Sequence, residues 1–196
     1  KDADAAQRSG GAAGDPEGFH YQGTVYVVAS QVNSREDVAR VVMHESLGHY
    51  GLRGVFGKAL GAVLDQIVTF RRTDVNKKAA QYGLLHSIEA AKAKALEADP
   101  TLKGFPLQAK AQQLLNRDLR VASEEVLAEM SQNRPEIGFV KRAIAAIRQW
   151  LRANMPFMEN LRMTDEEIVR RFIMPARAFV EQGGQAGVDM AREVSF

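Results

Sequence analysis

The stretch His44-Glu45-Ser46-Leu47-Gly48-His49 sets two imidazoles five residues apart, with a carboxylate beside the first. Neutral imidazoles are good ligands for a divalent metal such as zinc, and an adjacent glutamate can take a proton from the water that a metal site activates. The commoner helical pattern, H-E-x-x-H, separates its histidines by four residues and so leaves them about 40° apart, whereas a spacing of five puts them about 140° apart. One widened π turn would absorb the extra residue and return both rings to one face, and such bulges concentrate at functional sites. Gly48 makes the distortion cheap. The spacing therefore predicts a π-bulge between His44 and His49; the plain alternative is two unrelated polar residues at a fraying helix end.

A second acidic stretch, Ser123-Glu124-Glu125-Val126-Leu127-Ala128-Glu129, lies within a long helical pattern. Together, H-E-x-x-G-H and E-E-x-x-A-E resemble the paired zinc motifs of the dipeptidyl peptidase III family. That resemblance implies zinc as cofactor, His44, His49 and Glu125 as its ligands, and Glu45 as the general base. It casts Glu124 and Glu129 as groups that orient the ligands. It covers the two motifs and little else, because 196 residues cannot hold that family's two-lobed architecture. A longer local likeness runs through HESLGHYGLRGVFG, preceded by YVVAS and followed by a helical glutamate motif. It resembles the zincin-like domains of large polyvalent proteins from phages and mobile elements. This implies a gluzincin-type metallopeptidase module acting on a peptide or protein substrate, in a bacterial cytoplasm or delivered into a host cell.

Helical geometry bears separately on the acidic stretch. At 100° per residue, Leu115, Leu119, Ala122, Val126 and Met130 form an apolar stripe about 80° wide, with Glu129 about 60° from its centre, Glu125 about 100° and Glu124 about 160°. The expectation is that Glu124 faces away from the core while Glu125 and Glu129 share a flank. An oxyanion would need a further donor, and His20, Tyr21, Tyr50, Arg53, Tyr82 and His86 have suitable side chains. Tyr82 and His86 are one turn apart on a predicted helix. Each is also a plausible packing or surface residue.

These residues need elements to hold them. Gly23 to Ser30, GTVYVVAS, is β-branched and aromatic and predicts a strand, either an edge that holds a substrate main chain or a plain core strand. Ser34 with Asp37 marks the start of a helix that carries Val38, Val41 and Val42 into the histidine stretch, to be broken by Gly48, Gly51 and Gly54. Further helical patterns span about 55–71, 74–98, 106–132, 136–153 and 164–181. Pro100, Pro106, Pro135 and Pro156 lie near the joints, and Thr164 with Glu167 caps the last helix. Phe139, Trp150, Phe157, Phe172 and Phe179 read as core. Lys141, Arg142, Arg148 and Arg152 read as a solvated face.

The expected fold is mainly α with a small β-sheet, in an α+β class. Residues 1–18 read as a flexible linker, 19–182 as the domain and 183–196 as a loose tail. Lys1 in place of methionine suggests a portion of a longer chain. A net charge of +2, from 26 basic and 24 acidic residues, gives no argument for nucleic acid, and no apolar run is long enough to span a membrane. Zero cysteines exclude disulfides and sulfur-ligated zinc. The class of function is therefore a zinc peptidase, or a zinc-retaining binding or scaffolding module without turnover; a DNA-associated accessory domain is the reading the charge weakens.

Overall fold

The computed structural model describes residues 17–21, 24–155 and 163–184. The expected linker and tail lie almost wholly outside them, as does Phe157. Two short strands, β1 (Gly18–Tyr21) and β2 (Thr24–Val27), pair antiparallel with Phe19 opposite Tyr26. The single strand expected over 23–30 is thus the second arm of a hairpin and stops at Val27. Phe19 and Tyr26 stack with ring centroids 5.1 Å apart, the cross-strand aromatic contact that steadies so small a sheet. Gly18 lies against Val41 so closely that any side chain there would collide with it.

The remaining described elements are helical: α1 (Arg35–Phe56), α2 (Lys58–Phe70), α3 (Arg72–Gln81), α4 (Ile88–Ala98), α5 (Gly104–Asn133) and α6 (Gly138–Asn154). A composite closing segment follows, α7 (Asp165–Ile168), a π turn (Val169–Ile173), a 3-10 turn (Met174–Ala176) and α8 (Arg177–Glu181). The start signals hold in detail. The Ser34 hydroxyl accepts from the Asp37 amide at 3.0 Å, and Thr164 and Glu167 form a complete reciprocal capping box.

The pattern over 74–98 is two helices rather than one. Gly83, at φ +68°, turns the chain left-handed after α3, and the amides of Gly83 and Leu84 return to the carbonyls of Ala80 and Ala79. This is a Schellman-type stop, which apolar periodicity carries straight across. Ser87 then caps α4 through the Ala90 amide.

α5 is the central helix. α2, α3 and α4 pack along it, and α8 and the π turn close over its C-terminal half, while α1 lies against α2, α8 and the hairpin. Its apolar stripe is buried as expected, but from Val121 to Ala128 every residue is buried, so this stretch is enclosed on all sides. Phe172 and Phe179 join the core, and Phe56 meets Trp150 and Phe172 edge-on. Phe139 and Trp150 are only partly buried. No described helix is long and apolar enough to cross a membrane.

Candidate functional site

The histidine stretch lies in the first part of α1, which is regular helix through Tyr50; the single non-helical residue inside α1 is Gly51, at φ 69° and ψ −178°. The expected π-bulge between His44 and His49 is absent, and the π turn of this fold lies at 169–173 instead. Gly48 does not break the helix, and it faces open space. With regular geometry the two imidazoles stay about 140° apart. His44 is exposed, whereas Glu45 and His49 are half-buried and, four residues apart, share one face. The buried side of the same turns is made by Met43, Ser46 and Leu47.

At Gly51 the first part of α1 meets α5. The chain takes a left-handed step there and restarts as helix, exposing fresh amides at Leu52 and Arg53 that lack intrahelical acceptors. The Glu124 carboxylate supplies them: Oε2 accepts from Leu52 N at 2.6 Å and Oε1 from Arg53 N at 3.2 Å. A side chain at position 51 would strike Glu124 Oε2 and the Phe179 ring, so glycine is required by conformation and by space. Burial, opposed by the two amides and by Arg53, pushes the Glu124 carboxyl up to about 7. The expectation that Glu124 faces solvent is therefore wrong: it is 2% exposed. The stripe argument assumed a helix with one solvated side, and this stretch of α5 has none.

Glu125, the next residue, is 0% exposed and points toward α3 and α8. Its Oε1 receives Arg177 Nη2 at 2.7 Å, and Lys78 Nζ stands 3.6 Å away. Lys78 also meets Glu129 Oε2 at 2.9 Å, and Glu129 is half-exposed, on the flank expected. Desolvation works against the charge of Lys78, yet its bond to Glu129 and the field of Glu125 raise it above the usual lysine range. Arg177 behaves alike: desolvation is outweighed by Glu125 and by a hydrogen bond with Tyr82. The second oxygen of Glu125, Oε2, is buried without a hydrogen-bond partner.

Tyr82 and His86 do not sit one turn apart on a helix, because α3 ends at Gln81 and both lie in the connection to α4. Tyr82 is drawn to the Glu125 cluster through Arg177, while His86 is exposed and its Nδ1 lies 3.2 Å from the Leu84 carbonyl. Arg53 is largely buried and turned to Asp65, which Arg120 also holds. The side chains of His20 and Tyr21 lie outside what is described. Sequence reasoning missed Lys78 and Arg177, and no motif signals them; they follow from the charge of a buried Glu125.

The donor set suits zinc chemically: imidazoles, carboxylates, no thiolate, and one buried carboxylate oxygen with an unused lone pair. Its members are not gathered, however, since among the described residues no three His, Asp or Glu side chains stand where they could hold one metal ion. The fold brings the two motifs side by side through Gly51 and Glu124, separates His44 from His49 around the helix, and occupies one oxygen of Glu125 with cations. No family model matches the chain, and no curated protein or solved structure matches it.

Proposed function

We propose that the chain is a zinc-dependent peptidase domain of zincin-like type. The reading is supported by the meeting of its two motifs: Glu124 bonds to the amides of Leu52 and Arg53 across 72 and 71 positions of sequence, bringing E-E-x-x-A-E against the end of H-E-x-x-G-H. The resemblance to the dipeptidyl peptidase III motifs implies His44, His49 and Glu125 as the residues that would hold the ion; for that, the turn between the two imidazoles would have to widen and Glu125 would have to part from Arg177. Bound there, zinc would polarise a peptide carbonyl and acidify water. Glu45, half-buried and on the face of His49, would accept the proton from that water and pass it to the leaving amine. The hairpin beside α1 offers the backbone edge along which a peptide could lie. The substrate is a peptide or protein, and the setting is a bacterial cytoplasm or a host cell reached through a phage or mobile element.

A second reading is a zinc-retaining module that binds or scaffolds without turnover. The ion pairs of Glu125 with Arg177 and Lys78 weigh against metal in both readings, because they satisfy part of that carboxylate without it. Metal analysis of the purified chain, with peptide-library cleavage in the presence and absence of chelator, separates the two. The expected result is one zinc per chain and chelator-sensitive cleavage that Glu45→Gln abolishes while zinc is retained. Zinc without cleavage leaves the second reading; no zinc at all, or cleavage unchanged in Glu45→Gln, overturns the peptidase.

A further inference from the structure

Beside the second motif, the C-terminal half of α5, α3 and the turn before α6 line an open cavity of about 390 Å³. That is within the range of small-ligand sites, roughly 300 to 1,000 Å³. Val126, Met130 and Ile137 line its apolar part, and Gln81 and Asn133 contribute side-chain amides. Four cations, Arg71, Lys77, Lys78 and Arg134, face two carboxylates, Asp74 and Glu129. The lining therefore carries a surplus of two positive charges, as large as that of the entire chain.

The ion pairs show where that surplus sits. Arg71 is held by Asp74 at 2.7 Å and Lys78 by Glu129 at 2.9 Å, so both carboxylates are used. Lys77 and Arg134 are exposed and make no ion pair among the described residues. Two unneutralised cations beside a small apolar patch, to which the half-buried Ile137 adds the edges of Val126 and Met130, suit an anion with a small apolar body. Arginine adds a planar fork that matches the oxygens of a phosphate or carboxylate.

We propose that this cavity binds a small organic dianion, a phosphate monoester or a dicarboxylate, with its charged end between Lys77 and Arg134 and its apolar body on Val126, Met130 and Ile137. The site borders the surroundings of Glu125 through Lys78 and Glu129, but its anion-binding groups, Lys77 and Arg134, are neither histidines nor proposed metal ligands. Phenyl phosphate, phenylsuccinate, phenol and inorganic phosphate are the probes, titrated into the full chain at low salt and followed by calorimetry and by methyl NMR of Val126, Met130 and Ile137. The expected result is saturable binding of at least one aromatic dianion with Kd below about 1 mM, shifts confined to those methyls, and binding of phenol and inorganic phosphate at least about tenfold weaker. The phosphate and carboxylate probes distinguish the two sources of charge.

The double variant Lys77→Ala/Arg134→Ala should lose at least about tenfold in affinity for the bound dianion, and Lys77→Arg/Arg134→Lys should keep it. Both positions are exposed, so circular dichroism is expected to show an unchanged fold. Failure of both dianions to bind, shifts elsewhere, inorganic phosphate binding as tightly as its phenyl ester, or equal binding by the alanine variant would each overturn the proposal. Should the alanine variant not fold, Met130→Ala is the substitute: unchanged dianion affinity there would overturn it as well.

Discussion

Glu124 and Gly51 are mutually dependent: the left-handed step at Gly51 turns the amides of Leu52 and Arg53 toward the Glu124 carboxylate, and the carboxylate fills the space a side chain at 51 would need. Gly51→Ala should therefore be among the most destabilising single changes. The positive φ alone costs about 1–3 kcal/mol in a non-glycine residue, and the collision with Glu124 and Phe179 adds to it. Denaturant unfolding is expected to show a loss of at least about 2 kcal/mol, against a small change for Gly48→Ala, which faces open space. Equal stability of the two variants would contradict this.

The burial of Glu124 makes stability depend on pH. Its carboxyl is raised from 4.5 to about 7 in the folded chain. Between those values the folded state holds a proton the unfolded state has lost, so this group's contribution to stability is greatest below about 4.5 and declines as pH rises toward 7. At about 1.4 kcal/mol per pH unit, the total attributable to this group is on the order of 3 kcal/mol. Glu124→Gln, which cannot ionise, should flatten that slope. The check is a series of denaturant curves from pH 4.5 to 7.5, in which a variant as pH-dependent as the parent would assign the effect elsewhere.

Arg177, half-exposed, and Glu125, fully buried, form a pair in which breaking one side should cost more than losing both. Arg177→Ala leaves Glu125 with only Lys78 and is expected to destabilise by about 1–2 kcal/mol, less than the loss of one partner from a fully buried pair because Arg177 is part-exposed and Lys78 remains. Adding Glu125→Gln should recover part of that loss, since the uncompensated charge is gone. Additive losses in the double variant would mean that the pair is not energetically coupled.

For metal binding, the carboxylates separate by what already holds them. Glu125→Ala is expected to lower zinc affinity by orders of magnitude, Glu129→Ala by about 10- to 100-fold, and Glu124→Ala least for a residue bound to amides. His44→Ala and His49→Ala should each abolish stoichiometric zinc. Competition titrations on folded variants decide it. If Glu124→Ala proves the most damaging of the three, the carboxylate beside Gly51 is the ligand and the assignment by motif resemblance is one residue out.

Local signals were legible where short-range chemistry decides. Ser34, Thr164 and Glu167 mark helix starts because a hydroxyl or carboxylate three residues away satisfies a free amide whatever surrounds it. The stripe from Leu115 to Met130 was readable for the same reason. What could not be read was set by distant neighbours. Glu124 is buried because α1 and α8 reach α5 from the side that periodicity assigned to water. The Gly83 stop was missed because apolar spacing continues beyond it, and Gly51 was one of three glycines that sequence could not tell apart. The motif residues were visible at once, yet their convergence depends on the turn geometry of α1, which spacing alone expected to be widened.

The restart of α1 after Gly51 changes what its backbone reports. Because Leu52 and Arg53 donate to a side chain on α5 rather than to their own helix, their amide protons are shielded by a neighbour's position. They should exchange with solvent only when the two helices part, or when the whole domain opens. Two amide signals thus act as a clasp whose release times the separation of the two motif-bearing helices.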